Sequence, residues 1–337
     1  PMNPEALKNG IRSFYVNSFS SPWISWPEII REWLEAKGDP TREQVVVNTR
    51  FGEPYRQRGA FEDEMQFLRR REHYGAELPN GVLLLTAAVD TQDNRLEYEI
   101  CGWGKGEECW GIMKGVILGV PKYQSTWDAL DDVLDRQYYF KSGIGLKVAR
   151  TFIDFQGHYT TSVYAYCENN WHKQRVPVRG SNNGPGVPLL NGLRHSKNRP
   201  IPHQELGVDE GKQLVMNGLS IKEPGPGYFH FPVDDEYLKD RGYDQIYFKG
   251  IISEQLRTYK KNGIISTRWE PTSGVRNEPL DLRVYNIACM QSLEANWARL
   301  EELVTGRVSQ NSEEKVLVKE PSRIRKNKRS SRQSSIW

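Results

Sequence analysis

Val82–Asp90 reads VLLLTAAVD, the longest uncharged apolar run of the chain together with the aspartate that ends it. A run of this kind suits a strand that is buried on both faces of a sheet, since an exposed face would show alternating polar residues. It is far shorter than the roughly 20 apolar residues that a membrane span needs. The sequence therefore predicts a central strand whose last residue, Asp90, lies at the edge of a sheet.

The segments that follow this strand predict a mixed sheet flanked by helices. Arg95–Cys101 alternates, which predicts a strand with Leu96, Tyr98 and Ile100 on one face and Glu97 and Glu99 on the other. Further elements are expected as strands over 108–118, 146–153 and 174–178 and as helices over 126–138 and 160–170. Three meandering strands followed by helix, strand, helix and strand is the order of a ribonuclease-H-like α/β fold.

The regions on either side of this core carry weaker patterns. Before the core, a tryptophan-rich arm is expected to form a helix over 28–37, an extended connector over 48–59 and a helix over 61–73. After it, the pattern predicts a β-hairpin around 213–221 and 228–231, a helix over 247–259, a strand over 264–270 and a helix over 279–303. The expected domains are an N-terminal arm and linker over 1–80, a ribonuclease-H-like domain over 81–306 and a flexible basic tail over 307–337.

Composition and charge limit the class of protein. Of the 337 residues 26% are charged, and the mean hydropathy of −0.68 is that of an ordinary soluble protein. Pro1–Gly10 has no apolar core of a secretory signal, and the four cysteines form no CxxC pair, which argues against a disulfide framework or a structural zinc site. Lys315–Trp337 carries eight Lys and Arg against one Glu, a net charge of +7, so the rest of the chain is mildly acidic at −4.

Three aspartates are candidates for one site. Asp90 and Asp154 each follow an apolar strand, and if these strands are parallel neighbours, both residues lie at the same sheet edge. Asp281 opens the last long helix with apolar residues three, four and seven positions on, so it projects towards the sheet. Each aspartate also fits a turn or a helix start, but their order along the fold favours a shared site. Converging carboxylates repel one another unless a cation neutralises them, and such hard ligands suit Mg²⁺ or Mn²⁺.

Three further residues near these aspartates are possible auxiliary ligands. Asp93 also suits the turn after the first strand, and Glu97 also suits a solvent-facing position. His158 either lines the site or hydrogen-bonds at the start of the following helix. The other histidines share no ligand spacing, which argues against a zinc centre.

Basic residues on and after the fifth strand are candidates for contact with a nucleic-acid backbone, since glycines separate them and cations can track phosphates. They are Arg175, Arg179, Arg194, Lys197 and Arg199. The basic tail has no apolar periodicity, which predicts flexibility. Its use stays open between a DNA tether and a docking peptide anchored by Ile336 and Trp337.

Five stretches resemble the large terminase subunit of lambda-type tailed phages, in the part that follows its ATPase domain. They are Tyr15–Trp33, Val47–Pro54, Leu85–Glu97, Ile153–Thr160 and Arg276–Ala288, in the same order from Ile11 to Thr305. The resemblance implies a metal-dependent endonuclease that cuts concatemeric viral double-stranded DNA during genome packaging. It also implies that the metal-binding acids are Asp90, Asp154 and Asp281. A P-loop motif, GxxxxGKS/T, is absent from the sequence, so this chain itself is not expected to hydrolyse ATP.

The implied mechanism uses two Mg²⁺ or Mn²⁺ ions about 3.5–4 Å apart, which activate a water and stabilise the leaving oxygen. Asp90 is expected to bridge both ions, with Asp154 and Asp281 each completing one site. Implied partners are the terminase small subunit, the portal of the procapsid and the ATPase domain of the same subunit, in the cytoplasm of an infected bacterium and without a membrane. Two alternatives stay open: a non-enzymatic packaging and docking module, or another ribonuclease-H-like nuclease such as a resolvase or an integrase.

Overall fold

The computed structural model describes residues 16–36, 40–53, 63–182, 186–234, 239–261 and 264–304. The chain divides into two compact units. The smaller unit comprises Pro1–Glu62 with Glu254–Glu270, and the larger comprises Asp63–Ser253 with Pro271–Trp337. The expected basic tail, 307–337, lies outside the described residues, and the domain limits expected from the sequence stay predictions.

Regular structure covers most of the described chain. The helices are α1 (Trp26–Ala36), α2 (Pro40–Val46), α3 (Met65–Leu68), α4 (Gln124–Leu134), α5 (Thr160–Asn169), α6 (Val208–Ser220), α7 (Gln245–Ile251), α8 (Glu278–Gln291) and α9 (Trp297–Val304). The strands are β1 (Leu84–Thr91), β2 (Arg95–Trp103), β3 (Cys109–Leu118), β4 (Tyr138–Tyr139), β5 (Gly145–Leu146), β6 (Val148–Asp154), β7 (Arg175–Gly180), β8 (Leu190–Arg194), β9 (His203–Leu206), β10 (Phe229–His230), β11 (Glu254–Lys261) and β12 (Ile264–Pro271). No described helix combines the length and apolar character that crossing a membrane requires.

The larger unit is built on an eight-stranded sheet, counted over the described residues, in the order β10-β3-β2-β1-β6-β7-β9-β8. Strands β1, β2 and β3 form an antiparallel meander, and β1 pairs in parallel with β6. Strands β6, β7 and β9 are also parallel, while β8 is antiparallel to β9. The predicted α/β architecture of a mixed sheet flanked by helices is confirmed.

Helices cover both faces of β1, which explains its continuous apolar sequence. On one face Ala87 and Val89 belong to a buried core that includes Trp127 of α4 and Val163 of α5. On the other face Thr86 donates a hydrogen bond of 2.8 Å to the Asn286 side chain of α8. A strand covered on both sides has no solvent-facing positions to occupy with polar residues.

Glu97 and Glu99 correct the sequence-based expectation for β2. Both are buried, with Glu97 3% and Glu99 0% exposed, because α8 covers the face to which they point. Arg283 of α8, itself fully buried, donates to Glu99 at 2.6 Å. The expectation that Glu97 faces solvent is therefore wrong.

The region after β9 differs from the expected hairpin. Val208–Ser220 is the helix α6, so residues 213–221 form no strand. Phe229–His230, the expected second strand of the hairpin, pairs in parallel with β3. Two glycines inside α6 weaken the helical pattern of its sequence, but both are needed for packing. A Cβ at Gly211 would lie 2.4 Å from Val284, and one at Gly218 would lie 2.5 Å from Phe229.

Several other expected boundaries are also wrong. The helix expected over 247–259 ends at Ile251 and is followed by β11, and the helix expected over 279–303 is divided into α8 and α9. Over its described residues, 63–73, the helix expected over 61–73 is reduced to α3. The connector expected over 48–59 begins as a π-helical turn, Val47–Phe51, and residues 54–59 lie outside the described part of the chain.

The smaller unit contains the tryptophan-rich arm. The helix expected there is α1, and α2 follows it from Pro40. Phe51 contacts Phe19 and Trp33 at ring-centroid distances of 5.8 and 5.4 Å. Arg50 donates to Glu32 at 2.6 Å. The helix predicted over 28–37 is therefore confirmed over its described residues.

Candidate active site

Asp90 and Asp154 end two neighbouring parallel strands. Val89 of β1 is in register with Ile153 of β6, so the aspartates that follow these residues lie side by side. Both project from the sheet face that α8 covers, because Asp90 lies two pleat repeats beyond Thr86 and shares its face. The expected parallel pairing of the two strands is confirmed, and both carboxylates are buried, with 6% and 7% exposed.

Asp281 joins these residues from the first turn of α8. The Asn277 side chain donates to its Oδ2 at 3.0 Å, and the ammonium of Lys212 lies 3.9 Å from its Oδ1. The side chain of Asp281 is 22% exposed, so it is more open than the two strand-end aspartates. An acidic residue is also favoured here because the helix N-terminus carries partial positive charge. We refer to Asp90, Asp154 and Asp281 as the carboxylate cluster.

The protonation equilibria indicate that these carboxylates share one environment. Burial, together with the smaller effect of the charges of Asp90 and Asp281, raises the pKa of Asp154 to about 8. Burial likewise raises the pKa of Asp90 to about 6, although a 2.6 Å hydrogen bond from Gln92 opposes the shift. Tyr285, one turn after Asp281, has a pKa well above its ordinary value through burial and the charges of all three aspartates. The carboxylate cluster is therefore a pocket of mutually repelling acids.

The donor set of the carboxylate cluster fits a hard divalent cation. Within the described residues, no three His, Cys, Asp or Glu side chains lie close enough together to hold a metal ion as they stand. The cluster nevertheless offers carboxylate oxygens, the ligands that Mg²⁺ and Mn²⁺ prefer. Burial is the main cause of the raised pKa values of Asp90 and Asp154, and a bound cation would favour the ionised form of both carboxyl groups.

Asp93 and His158 lie at the rim of this site. Asp93 is in the turn between β1 and β2, His158 is in the loop between β6 and α5, and their side chains approach to 2.7 Å. Both side chains are largely exposed, 72% and 82% respectively. They link the two loops beyond the strand ends and are more exposed than the three aspartates, and their role as auxiliary ligands stays a prediction.

Glu97 lies directly opposite Asp90 in the register of β1 and β2, on the same face of the sheet. Its carboxylate is engaged by Arg95 at 2.8 Å, Lys114 at 3.0 Å and Arg276 at 2.6 Å. Arg95 and Arg276 also pair with Glu278, each at 2.9 Å. With three cations on its carboxylate, Glu97 is positioned as the centre of an ion-pair network beside the carboxylate cluster.

Sequence reasoning missed the basic residues that share this face of the sheet. They are Arg95, Lys114, Lys212 and Arg276. Arg95 and Arg276 lie in stretches that carry the family resemblance, Leu85–Glu97 and Arg276–Ala288, so that resemblance was the available signal for these two residues. The other two belong to elements whose packing partners are distant in sequence.

The five predicted DNA-contacting cations divide into two groups. Arg175 is 1% exposed, donates to Thr151 at 2.8 Å and pairs with Asp135 at 2.8 Å, so its guanidinium is part of the core. Arg179 and Arg194 flank Glu205 at 3.1 and 3.4 Å with partly exposed side chains.

The remaining two cations of that set lie after β8. Lys197 is exposed. Arg199 donates to Thr161 at 3.0 Å and lies over the Tyr164 ring at 4.7 Å. We refer to Arg179, Arg194, Lys197 and Arg199 as the basic patch.

The strand residues of the basic patch, Arg179 and Arg194, lie on the face of the sheet opposite to the carboxylate cluster. Val178 is in register with Asp154, so Arg179, the next residue, points to the opposite face. Arg194 is in register with His203, which contacts Tyr164 of α5 at 2.9 Å on that same opposite side. Strands β9 and β8 lie two and three positions from β6, a distance of about 10–14 Å.

A mixed sheet with aspartates ending two adjacent parallel strands, and a third on the helix that covers them, defines the class as a nuclease domain of ribonuclease-H-like fold. The chain belongs to the family described as the terminase large subunit gpA endonuclease domain, which matches residues 11–302. The resemblance to the large terminase subunit is thereby confirmed.

Two curated relatives carry the same similarity. The chain is 28% identical to the terminase large subunit of Escherichia phage lambda over 290 residues, and 26% identical to that of Enterobacteria phage P21 over 291 residues. Each match covers 85% of this chain and 44% of the relative, so the chain spans less than half the length of these relatives. The comparison with solved structures found no match.

Proposed function

We propose that this chain is the metal-dependent nuclease of a phage terminase large subunit and that it cuts concatemeric viral double-stranded DNA during genome packaging. The observation that carries the proposal is the side-by-side position of Asp90 and Asp154 at adjacent strand ends, with Asp281 facing them from α8. Family membership supports the nuclease activity.

In this proposal the carboxylate cluster holds two divalent cations. Asp90, Asp154 and Asp281 would hold these ions through their carboxylate oxygens. Bound Mg²⁺ or Mn²⁺ supplies Lewis-acid activation of a water and stabilisation of the leaving oxygen. The net reaction forms a bond between the water oxygen and phosphorus, breaks the bond to one sugar oxygen and returns a proton to that oxygen.

The neighbouring residues orient the acids for this task. Gln92 donates to Asp90, the backbone N–H of Gln156 donates to Asp154 at 3.1 Å, and Asn277 donates to Asp281. Fixed carboxylates reduce the reorganisation that ligand binding requires. Because burial favours protonated Asp154, the cluster must also release protons as it takes up cations.

The proposed DNA path uses cations on both faces of the sheet. Arg276, whose side chain is 58% exposed, lies beside the carboxylate cluster and is suited to contact the backbone next to the cleaved phosphate. The basic patch lies farther away and is suited to contact flanking duplex. Arg175 is omitted from this path because its guanidinium is buried.

The wider role follows from the family and extends beyond the described residues. As part of a terminase large subunit, the chain would act with an ATPase domain of the same subunit, with the small subunit and with the portal of the procapsid. It would act in the cytoplasm of an infected bacterium and need no membrane. Cleavage-site choice would come from these partners.

A second candidate is a non-enzymatic packaging and docking module with vestigial acids. The observation that favours it is that the described residues contain no three potential ligands grouped to hold an ion as they stand. A nuclease and a docking module differ in one measurable respect, since only the nuclease nicks DNA when a divalent cation is supplied.

The test is nicking of supercoiled plasmid in Mn²⁺ by the wild-type chain and by Asp90→Asn, Asp154→Asn and Asp281→Asn. Each substitution should lower the rate by about 100-fold or more, because removing one member of a catalytic set abolishes most of its effect. Asp132→Asn, an exposed position on α4, is the matched control and should cut at the wild-type rate. Wild-type rates for all three cluster variants would overturn the assignment, and a wild-type chain without nicking activity would favour the docking module.

A further inference from the structure

Lys212 is a lysine of α6 that the fold buries beside the carboxylate cluster. Its side chain is 11% exposed, and its ammonium lies 3.9 Å from Oδ1 of Asp281. Lysines are rarely buried to this extent because their charge is costly to desolvate. Lys212 therefore places a buried positive charge beside the carboxylate cluster.

The backbone of α6 holds Lys212 in place. Helix α6 packs along α8, and the neighbouring residue Gly211 allows the close approach, since a Cβ there would lie 2.4 Å from the Val284 side chain. Val284 is three residues after Asp281 and so occupies the same side of α8. The glycine that brings the helices together thus also brings Lys212 to Asp281.

The contact between Lys212 and Asp281 is longer than a direct charge-assisted hydrogen bond. Such bonds between ammonium and carboxylate are about 2.7–2.9 Å long, whereas Lys212 lies 3.9 Å from Oδ1 and Asn277 holds Oδ2 at 3.0 Å. An ammonium has three N–H donors. At this distance its charge acts on the site without a hydrogen bond to Asp281.

We infer that Lys212 is a further residue of the nuclease site, whose ammonium contacts a non-bridging oxygen of the DNA phosphate lying against Asp281. The inference rests on the proposed function and adds one residue to it. A phosphate entering a cluster of carboxylates meets repulsion, and a cation beside Asp281 offsets it. Arg276 supplies a cation near Asp90 on the side of β2, so the two would flank the bound phosphate.

This role makes metal binding and DNA binding respond in opposite directions. The ammonium of Lys212 and a divalent cation at Asp281 repel each other, so removing the ammonium should strengthen metal binding. The same change removes a contact to phosphate and should weaken DNA binding. A lysine that only stabilises the packing of α6 on α8 would change thermal stability and leave both affinities as they were.

The experiment compares the full chain with Lys212→Met, Lys212→Arg and a control, Lys222→Met, which removes the same charge from an exposed position just after α6. Mn²⁺ affinity is measured without DNA by titration calorimetry. DNA affinity is measured in Ca²⁺ over a range of salt concentrations, and cleavage is measured at saturating Mn²⁺.

For Lys212→Met we expect severalfold tighter Mn²⁺ binding, a salt slope of DNA binding flatter by about 0.9 and cleavage slower by about 10-fold or more. Lys212→Arg keeps the charge and should recover most of the slope and rate. Lys222→Met should match the wild type in Mn²⁺ affinity and cleavage. If the methionine variant does not fold, Lys212→Gln takes its place in the same comparison.

An unchanged salt slope together with an unchanged cleavage rate in Lys212→Met would overturn the inference, and so would a lowered melting temperature as the sole effect. Failure of the proposed function has a different signature. In that case the wild type does not cut in Mn²⁺, while the DNA-binding slope still reports whether Lys212 contacts a phosphate.

Discussion

Arg283 donates to Glu99 at 2.6 Å, and neither side chain has any exposure to solvent. Tyr247 donates to the same Glu99 oxygen at 2.7 Å and accepts from Arg283 at 2.8 Å. The ion pair joins α8 to β2 only two residues after Asp281. The position of the third carboxylate of the site therefore depends on a buried charge pair that lies outside it.

Breaking this pair should destabilise the fold strongly. Arg283→Met or Glu99→Met leaves one buried charge without its partner, which costs about 3–5 kcal/mol. The double variant removes both charges and should lose clearly less than the sum of the two single losses. Urea unfolding of the four proteins measures the coupling, and additive losses would contradict it.

Asp154→Asn should stabilise the metal-free protein as the pH rises. The pKa of Asp154 is about 8 in the folded state, against about 3.9 in an unfolded chain. Between pH 4 and 8 the folded state therefore holds a proton that the unfolded state has lost, so the contribution of Asp154 to stability falls through this window. The asparagine of the variant does not titrate, so its stability does not fall for this reason as the pH rises.

The expected gain from Asp154→Asn at pH 8 is about 1–2 kcal/mol, or about 2–8 °C in Tm for a domain of this size, with little gain near pH 5. Thermal unfolding in EDTA at a series of pH values measures it. Asp132→Asn should give a flat difference, and an equal gain at pH 5 and pH 8 for Asp154→Asn would contradict the explanation.

Metal affinity should rise with pH over the same range. The pKa values of about 8 for Asp154 and about 6 for Asp90 mean that binding a cation near pH 7 displaces close to one proton. The Mn²⁺ association constant should then rise about tenfold per pH unit between pH 6 and 8 and level off above pH 8. Calorimetry in buffers of different ionisation enthalpy counts the released protons, and a pH-independent constant would be inconsistent with buried, protonated carboxylates.

Substitutions of Arg175 and Arg194 should have different effects, the first on the stability of the fold and the second on DNA binding. Arg175→Met removes a buried guanidinium from Thr151 and Asp135, and should cost about 1–3 kcal/mol while leaving the salt slope of DNA binding unchanged. Arg194→Ala, at a side chain that is 56% exposed, should alter stability by less than about 0.5 kcal/mol and flatten the slope by about 0.9. The opposite pattern would mean that the basic patch is wrongly placed.

The strand-end acids could be predicted because their signal is local. Asp90 and Asp154 each end an apolar run, and the two strands pair in parallel although β2, β3 and α4 lie between them in the chain. Asp281 could be placed on the correct side of its helix from the apolar residues that share its face. In each case the sequence within one element carries the information.

The charged face of β2 could not be predicted because its partner is distant. Glu97 and Glu99 alternate with apolar residues as in a half-exposed strand, whereas Arg283, which pairs with Glu99, is 184 residues away. Lys212 was missed for the same reason. Helix α6 was missed because Gly211 and Gly218 read as turn residues, although their role is to admit Val284 and Phe229.

Strands β11 and β12 form a two-stranded sheet that belongs with the smaller unit, although the residues on either side belong to the larger one. The backbone N–H of Thr272 donates to the carbonyl of Ser253 at 2.7 Å, so the two ends of this excursion already touch. The chain is therefore continuous in space from Ser253 to Thr272 even without the hairpin. A protein engineer could excise Glu254–Pro271 and fuse Ser253 to Thr272, and every residue of the carboxylate cluster would remain in the shortened chain.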